Sequence, residues 1–308
     1  MNTISDAEVD TIILEKISVE NIRSIKENIS EHLEYWWRHY SELARQRNEI
    51  QDDIKKTLIQ SSKRNFTFQN MKRVVKYKYS LHPLSTLGSL TYIGGRFNTG
   101  RNVNSEIPFF PGLYLAKDKN TALQEHLGQV FKNQKARLSP REIALTNPCS
   151  ETIVSISGQI DMVFDLTKVQ NLTDFVNLTK DFSLSPELIL LGEKLNIKES
   201  KIIKTAPSLL SSLLNPHWRI LPNNFDVPSS SQIFGHLVYS AGIEGILYPS
   251  KFTNGLCLVI FPHNFSNSDS CLIMDDETPH KKVPKKIDKN NWRICDLTFD
   301  EIEQTIIH

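Results

Sequence analysis

Ala241 to Phe261 reads AGIEGILYPSKFTNGLCLVIF, and its apolar runs decide the fold class. GILYPS (245–250) and LCLVIF (256–261) are short and rich in β-branched and aromatic residues, the pattern of strands. They follow SQIFGHLVYSA (231–241), whose spacing predicts a helix, and precede a third strand-like run, SCLIM (270–274). Upstream, GLYLA (112–116) predicts a buried strand, and NTALQEHLGQV (120–130) a helix with Asn120 or Thr121 at its N-cap. VVKYKYSL (74–81) alternates as a strand does, and Glu151 to Leu166 holds two apolar runs, TIVSIS and MVFDL, around Gly158. Helices are also expected at 185–195 and 207–214. Strands interleaved with helices, without regular β-α alternation, predict an α+β fold with a mixed or antiparallel sheet.

From Ser18 to about Gln60 there is no Pro or Gly, and Ile22, Ile25, Ile29, Leu33, Trp36, Trp37, Tyr40, Leu43 and Ile50 recur at helical steps. This predicts one long amphipathic helix, or two in line. The aromatic stripe Trp36-Trp37-x-x-Tyr40 needs a cover: the main domain, a second copy or a partner. His32 and His39, seven apart, match neither H-x3-H nor HExxH ligand spacing. At the other end HKKVPKKIDKNN (280–291) is basic and broken by Pro, and reads as a solvated linker before RICDL and a short helix FDEIEQTII.

The chain has 308 residues, 39% of them hydrophobic, which is ample for a sizeable core. Lys and Arg (36) balance Asp and Glu (35), so no global field draws it to nucleic acid or an anionic membrane. MNTISDAEVDTIILEK lacks the basic and apolar regions of a signal peptide, and no run of about 18 uncharged apolar residues occurs. Cys149, Cys257, Cys271 and Cys295 form no CxxC pair, as expected of reduced thiols. A cytoplasmic protein is the expectation.

GGRFNTG (94–100) places three of the twelve glycines around Arg96. Glycine serves sharp turns and close backbone approach, and the arginine between them offers a fork to a phosphate or carboxylate. The chain has no GxGxxG opening a βαβ unit, no GxxxxGK[ST], no GxSxG and no paired CxxC. What remains is an ordered series of polar residues beside apolar runs: Arg96, Tyr114, Glu125 and Ser250. Taken singly, each also fits a plain structural role: a turn arginine, a core aromatic, a solvated helix charge, a strand-end serine.

As a series, GGRFNTG, GLYLAKDKNTALQEHLG, MVFDLT and AGIEGILYPSK followed by LVIF resemble the RES domain family, named for its Arg, Glu and Ser. The resemblance implies an ADP-ribosyltransferase-like mixed β-sheet core with surrounding helices, and a toxin that degrades NAD under the restraint of a cognate antitoxin or immunity protein. It divides the chain into an N-terminal helical extension (1–65), a RES-like catalytic domain (66–265) and a C-terminal strand, basic linker and short helix (266–308). It assigns Arg96, Tyr114, Glu125 and Ser250 to the site. Family members commonly carry another arginine on the first strand, where VVKYKYSL offers Lys76 and Lys78. The insertion RNVNSEIPFFP (101–111) is longer than is usual in the family.

The residue types suit that chemistry. Breaking the nicotinamide–ribose bond builds positive charge on the ribose, which needs a fixed anion, and Glu125 supplies one. Arg96 would grip the pyrophosphate, with the backbone of Gly94 and Gly95 letting the ligand approach. Tyr114 would stack on nicotinamide or ribose, and Ser250 would hold the ribose or the amide. NAD is then the substrate, with no cofactor and no metal. The acceptor, whether water, phosphate or a protein, stays open, as does a catalytically silent interaction module. Self-association through the N-terminal helix is a further expectation. Arg101, His217, His236, His263 and Glu244 rank below these, as surface, packed or turn residues.

Overall fold

The chain is described here by a computed structural model covering residues 19–103, 108–127, 151–197 and 202–305. The last residues of the expected 120–130 helix, the end of FDEIEQTII and Cys149 lie outside the described residues.

In chain order the elements are α1 (Val19–Glu49), α2 (Gln51–Gln60), β1 (Lys63–Lys76), the short hairpin strands β2 (Gly94–Gly95) and β3 (Asn98–Thr99), β4 (Leu113–Ala116), α3 (Lys119–Leu127) and β5 (Glu151–Asp165). Then follow α4 (Thr173–Thr179), α5 (Pro186–Lys194), α6 (Ala206–Leu213), α7 (Ile220–Phe225), α8 (Ser230–Ser240), β6 (Gly245–Pro249), β7 (Leu256–Ile260), β8 (Cys271–Met274), β9 (Lys286–Asp288) and α9 (Phe299–Thr305). The fold is α+β. Seven strands form one sheet in the order β1-β4-β7-β6-β5-β8-β9, and β1 also pairs with β5. The strands β1, β4, β7, β6 and β5 therefore close on one another, while β8 and β9 extend from β5. The β5–β6 pair is parallel and the other pairs are antiparallel, so the sheet is mixed.

Alternation along the strands builds two apolar clusters. Leu113, Leu115, Leu247, Leu258 and Ile260 point to one, with Ile156, Ile160 and Phe265. Tyr114, Ala116, Ile246, Tyr248, Cys257 and Val259 point to the other, where Ile54 and Leu58 of α2, Leu209 and Leu213 of α6, and Phe234 and Val238 of α8 cover the sheet. α8 starts on a complete capping box, Ser229 with Gln232.

Several expected boundaries shift for identifiable reasons. β1 starts at Lys63 and ends at Lys76, because its ladder with β5 runs from Lys63↔Val163 to Lys76↔Glu151; Tyr77–Tyr79 turn into a 3-10 helix. TIVSIS and MVFDL belong to one 15-residue strand, β5. Gly158 does not divide it. A Cβ there would lie 2.4 Å from the Cys271 carbonyl oxygen and 2.9 Å from the Phe68 ring, so the glycine lets β8 and Phe68 come close. α3 begins one residue early, because Asp118 accepts from Thr121 N–H (2.9 Å) and its hydroxyl (2.7 Å). The basic tail is no simple linker: Lys286–Asp288 pair with β8, and Val283 and Ile287 are buried.

The chain divides into two compact units, Met1–Arg45 with Ser183–Lys201, and Gln46–Phe182 with Ile202–His308. In the smaller unit the Glu42 carboxylate accepts from Ser185 N–H (2.8 Å) and Oγ (2.7 Å) at the start of α5, and Lys194 pairs with Glu31 at 2.5 Å. The buried helical face is Tyr35, Trp36, Tyr40 and Ala44; Trp37 is half-buried and Ile29 is 53% exposed. The aromatic stripe is thus covered within the chain, one residue round from its expected position. The larger unit holds both apolar clusters and the whole sheet. Among the described residues no helix is long and apolar enough to cross a membrane.

Candidate active site

The hairpin β2–β3 pairs Gly94 with Thr99 and Gly95 with Asn98, and this makes GGRFNTG a tight, buried turn with Arg96 near its tip. Gly94 has φ +88°, open to glycine and strained for other residues. At Gly95 a Cβ would lie 2.4 Å from the Tyr114 hydroxyl, so this glycine admits the tyrosine. The hydroxyl accepts from Phe97 N–H (3.0 Å) and donates to Asn98 Oδ1 (2.8 Å). Burial pushes the Tyr114 phenol up, so it stays a donor. Asn98 also donates to the carbonyls of Ser89 (2.8 Å) and Phe110 (2.9 Å). From α8, Gln232 Nε2 donates to the Ile93 carbonyl (2.7 Å). The Tyr114 hydroxyl thus braces the arginine turn, a task shared by Asn98 and Gln232, while the residue also lines a cavity.

Arg96 is 5% exposed. Its Nη1 donates to the carbonyls of Asn215 (2.8 Å) and Leu213 (3.4 Å), and Nε and Nη2 make no hydrogen bond among the described residues. The arginine therefore pins the segment after α6 and keeps donors in reserve. That segment carries Trp218 and Arg219, whose guanidinium carbon lies 4.5 Å from the Trp218 ring centre; that of Arg96 lies 6.0 Å away.

Glu125 stands on α3, and Ser250 follows β6. Their side chains meet: Ser250 Oγ donates to Glu125 Oε1 at 2.6 Å. The same oxygen accepts from Phe252 N–H (3.1 Å) and Thr253 N–H (3.2 Å), which aims the hydroxyl proton at the carboxylate. Thr121, one helical turn before Glu125, is 2.9 Å from Thr253 and fastens α3 to this loop.

Arg96, Tyr114, Glu125, Gly94 and Gly95 all line one cavity of about 560 Å³, within the range of small-molecule sites. Ser250 reaches it through Glu125. Lys72, Arg73, Lys76, Lys78 and Arg219 also line it, and Glu125 is the one carboxylate among the described lining residues. Among the described residues its charged groups are six cations and one anion. Arg73 lies on β1 immediately before VVKYKYSL, so the first strand does carry an arginine. It is buried and committed, donating to the carbonyls of Pro83 (2.8 Å), Ser85 (2.6 Å) and Tyr114 (3.4 Å). Burial brings its pKa down to about 10. His126, on α3, lies 2.8 Å from Glu151, and burial holds its pKa below the ordinary histidine value.

The lower-ranked residues separate from this cavity. Glu244, expected on a solvated turn, is 2% exposed and accepts from Asp161 N–H (2.7 Å) and Ser270 Oγ (2.6 Å), a brace between β5 and the approach to β8. His263 pairs with Asp296 at 2.7 Å, and His236 packs on α8 beside Phe110. Arg101 lies over Phe109, and His217 is exposed in the loop ahead of Trp218.

The geometry is that of a small-molecule site: one carboxylate, oriented by a serine, in a cavity lined by cations. The family model of the RES domain matches residues 70–280, and the chain belongs to that family. A chain in the crystal structure of the M. tuberculosis MbcT-MbcA toxin-antitoxin complex is similar at 14% identity and a TM-score of 0.41, over 82% of this chain and 95% of that one. No curated protein matches.

Proposed function

We propose that this RES-domain protein is a toxin-like enzyme that cleaves the nicotinamide–ribose bond of NAD, with water or phosphate as acceptor, on an ADP-ribosyltransferase-like core. The single observation that carries the reading is the Ser250–Glu125 hydrogen bond at the wall of a cavity whose other charged lining residues, among those described, are lysines and arginines. Cleavage expels neutral nicotinamide and leaves an oxocarbenium-like ribose. Glu125 faces that developing cation, stabilises it, and orients the incoming nucleophile. Ser250 holds one carboxylate oxygen in place, and the second remains for the substrate. Arg96, fixed on backbone carbonyls, offers its remaining donors to the pyrophosphate. Tyr114 keeps the arginine turn rigid. An enzyme that drains NAD needs restraint in its own cell, so a neutralising antitoxin belongs to this reading.

Incubating the pure protein with NAD, with and without phosphate, and identifying the ribosyl product tests it. Free ADP-ribose means hydrolysis and a ribosyl phosphate ester means phosphorolysis, while ADP-ribose on protein means transfer. Glu125→Gln is nearly isosteric and neutral, and should lower turnover by roughly 10²-fold or more with the fold intact. Normal turnover by folded Glu125→Gln protein would sink the assignment.

A further inference from the structure

Arg219 is a half-buried guanidinium in the wall of the cavity that makes no hydrogen bond or ion pair among the described residues; it lies over the ring of Trp218 and feels the Glu125 charge across the cavity. Beside it stands a second cation, Arg96, with Nε and Nη2 unengaged. Two guanidinium groups beside one indole, partly screened from water, repel each other and lose part of their hydration. Burial and the neighbouring Arg96 both hold the pKa of Arg219 below the ordinary arginine value. Glu125 is the one carboxylate among the described lining residues, and Ser250 already holds one of its oxygens. Two guanidinium groups on different elements, with donors still open beside one indole, suit an anion with two linked charged groups, each of which can take one fork.

We propose that Arg96 and Arg219 form a two-arginine clamp, with Trp218 as its backing plate, for the diphosphate bridge of the substrate. This rests on the proposed NAD reaction and assigns the part of NAD that the loop at 213–219 holds. Arg96 ties that loop to the arginine turn through the Leu213 and Asn215 carbonyls, so the two grips sit on one connected structure. The clamp selects dinucleotides by their linked phosphates and leaves Glu125 to the scissile bond. No RES motif signals Arg219, which in sequence is one arginine in NPHWRI.

The test uses the full chain, with Arg219→Ala and Arg219→Lys, and two readouts. Inorganic pyrophosphate binding by calorimetry should weaken about 10-fold or more in Arg219→Ala and by less in Arg219→Lys, which keeps the charge without the fork. KM for NAD should rise by a similar factor while kcat stays within about threefold, the mark of an interaction made in both ground and transition states. Melting temperature should hold or rise in Arg219→Ala, since a like-charge contact is relieved; a merely structural arginine would lower it. Pyrophosphate affinity unchanged in Arg219→Ala, or no pyrophosphate binding by the wild type, would overturn the clamp. NAD cleavage with an unaltered KM in Arg219→Ala would also overturn it and leave the reaction standing. Wild type that binds pyrophosphate through Arg219 but leaves NAD intact would keep the clamp and remove the reaction.

Discussion

A serine hydroxyl has one proton to give, and Ser250 gives it to Glu125 because two backbone N–H groups occupy its acceptor side. In the proposed reaction its part is to position the carboxylate. Ser250→Ala should lower kcat by roughly 10-fold with little change in KM, since the group that touches substrate stays but is no longer fixed. The same change strands the Phe252 and Thr253 amides, a cost of about 1–3 kcal/mol that a melting curve would register. Ser250→Thr keeps the hydroxyl and should recover part of both losses. Equal damage from Ala and Thr, or an effect confined to KM, would show that Ser250 acts elsewhere. Glu125, Arg96, Tyr114 and Ser250 were legible in the sequence as an ordered series, yet two of their tasks were not. The Tyr114 hydroxyl is spent on Phe97 and Asn98, and Gly95 is glycine to admit it; both facts depend on a contact across 16 to 19 residues that periodicity cannot reveal. Asn98 lies inside GGRFNTG, where the glycines and Arg96 carry the visible signal, and Gln232 in a helix whose sequence looks ordinary. Their value comes from the carbonyls they find after folding.

Among the elements, strands and helices with strong periodicity were legible to within a residue or two, as at β4, β7 and α8. The failures were places where a partner strand decides. Nothing local says that TIVSIS and MVFDL are one strand, because Gly158 reads as a break until Cys271 and Phe68 arrive beside it. KKIDK looks like a solvated basic run, and becomes β9 only because Ile287 finds the core and β8 offers an edge. On α8, His236 packs beside Phe110 and its Nε2 lies 3.3 Å from Ser240 Oγ. Burial first, then Arg47 and Lys55, bring its pKa down to about 4. The native state holds this ring neutral, whereas the unfolded chain protonates it near the ordinary value of about 6.5. Below that pH the unfolded state binds the extra proton, so stability falls with pH until about 4 is reached. At about 1.4 kcal/mol per pH unit, the loss by pH 5 is on the order of 2 kcal/mol. His82 and His126, also shifted downward by burial, act in the same direction. Comparing melting at pH 7 and pH 5, His236→Gln should lose less stability than wild type. An identical drop in both proteins would remove His236 as the source.

For the whole molecule, net charge hid the site. A chain with 36 basic and 35 acidic residues has no field of its own, but folding gathers Lys72, Arg73, Lys76, Lys78, Arg96 and Arg219 around one carboxylate. Composition averages over a surface that the fold sorts. The N-terminal helices show the same sorting. By periodicity 18–60 reads as one helix or two in line; the chain breaks at Ile50, and the boundary between the units falls at Arg45, so α2 and the last turn of α1 belong to the larger one. Ile54 and Leu58 of α2 are fully buried in the main apolar cluster, whereas neither cluster of the larger unit draws on residues 1–45. Two deletions should therefore behave differently. Removing 1–45 leaves both clusters complete, so the protein should fold and, if the proposed reaction holds, turn over NAD as the full chain does, with lower solubility because Leu184 and Leu188 lose the helix of their own unit. Removing 1–62 also takes Ile54 and Leu58, each worth about 1.5–3 kcal/mol, from a domain whose total stability is expected to be about 5–15 kcal/mol. That protein should melt far lower or fail to fold. Circular dichroism melting and size-exclusion chromatography of the two truncations, followed by NAD turnover on whichever is folded, separate the cases. A 1–62 deletion as stable as the full chain would mean that α2 is an appendage, and a folded 1–45 deletion without NAD cleavage would place part of the active site in α1.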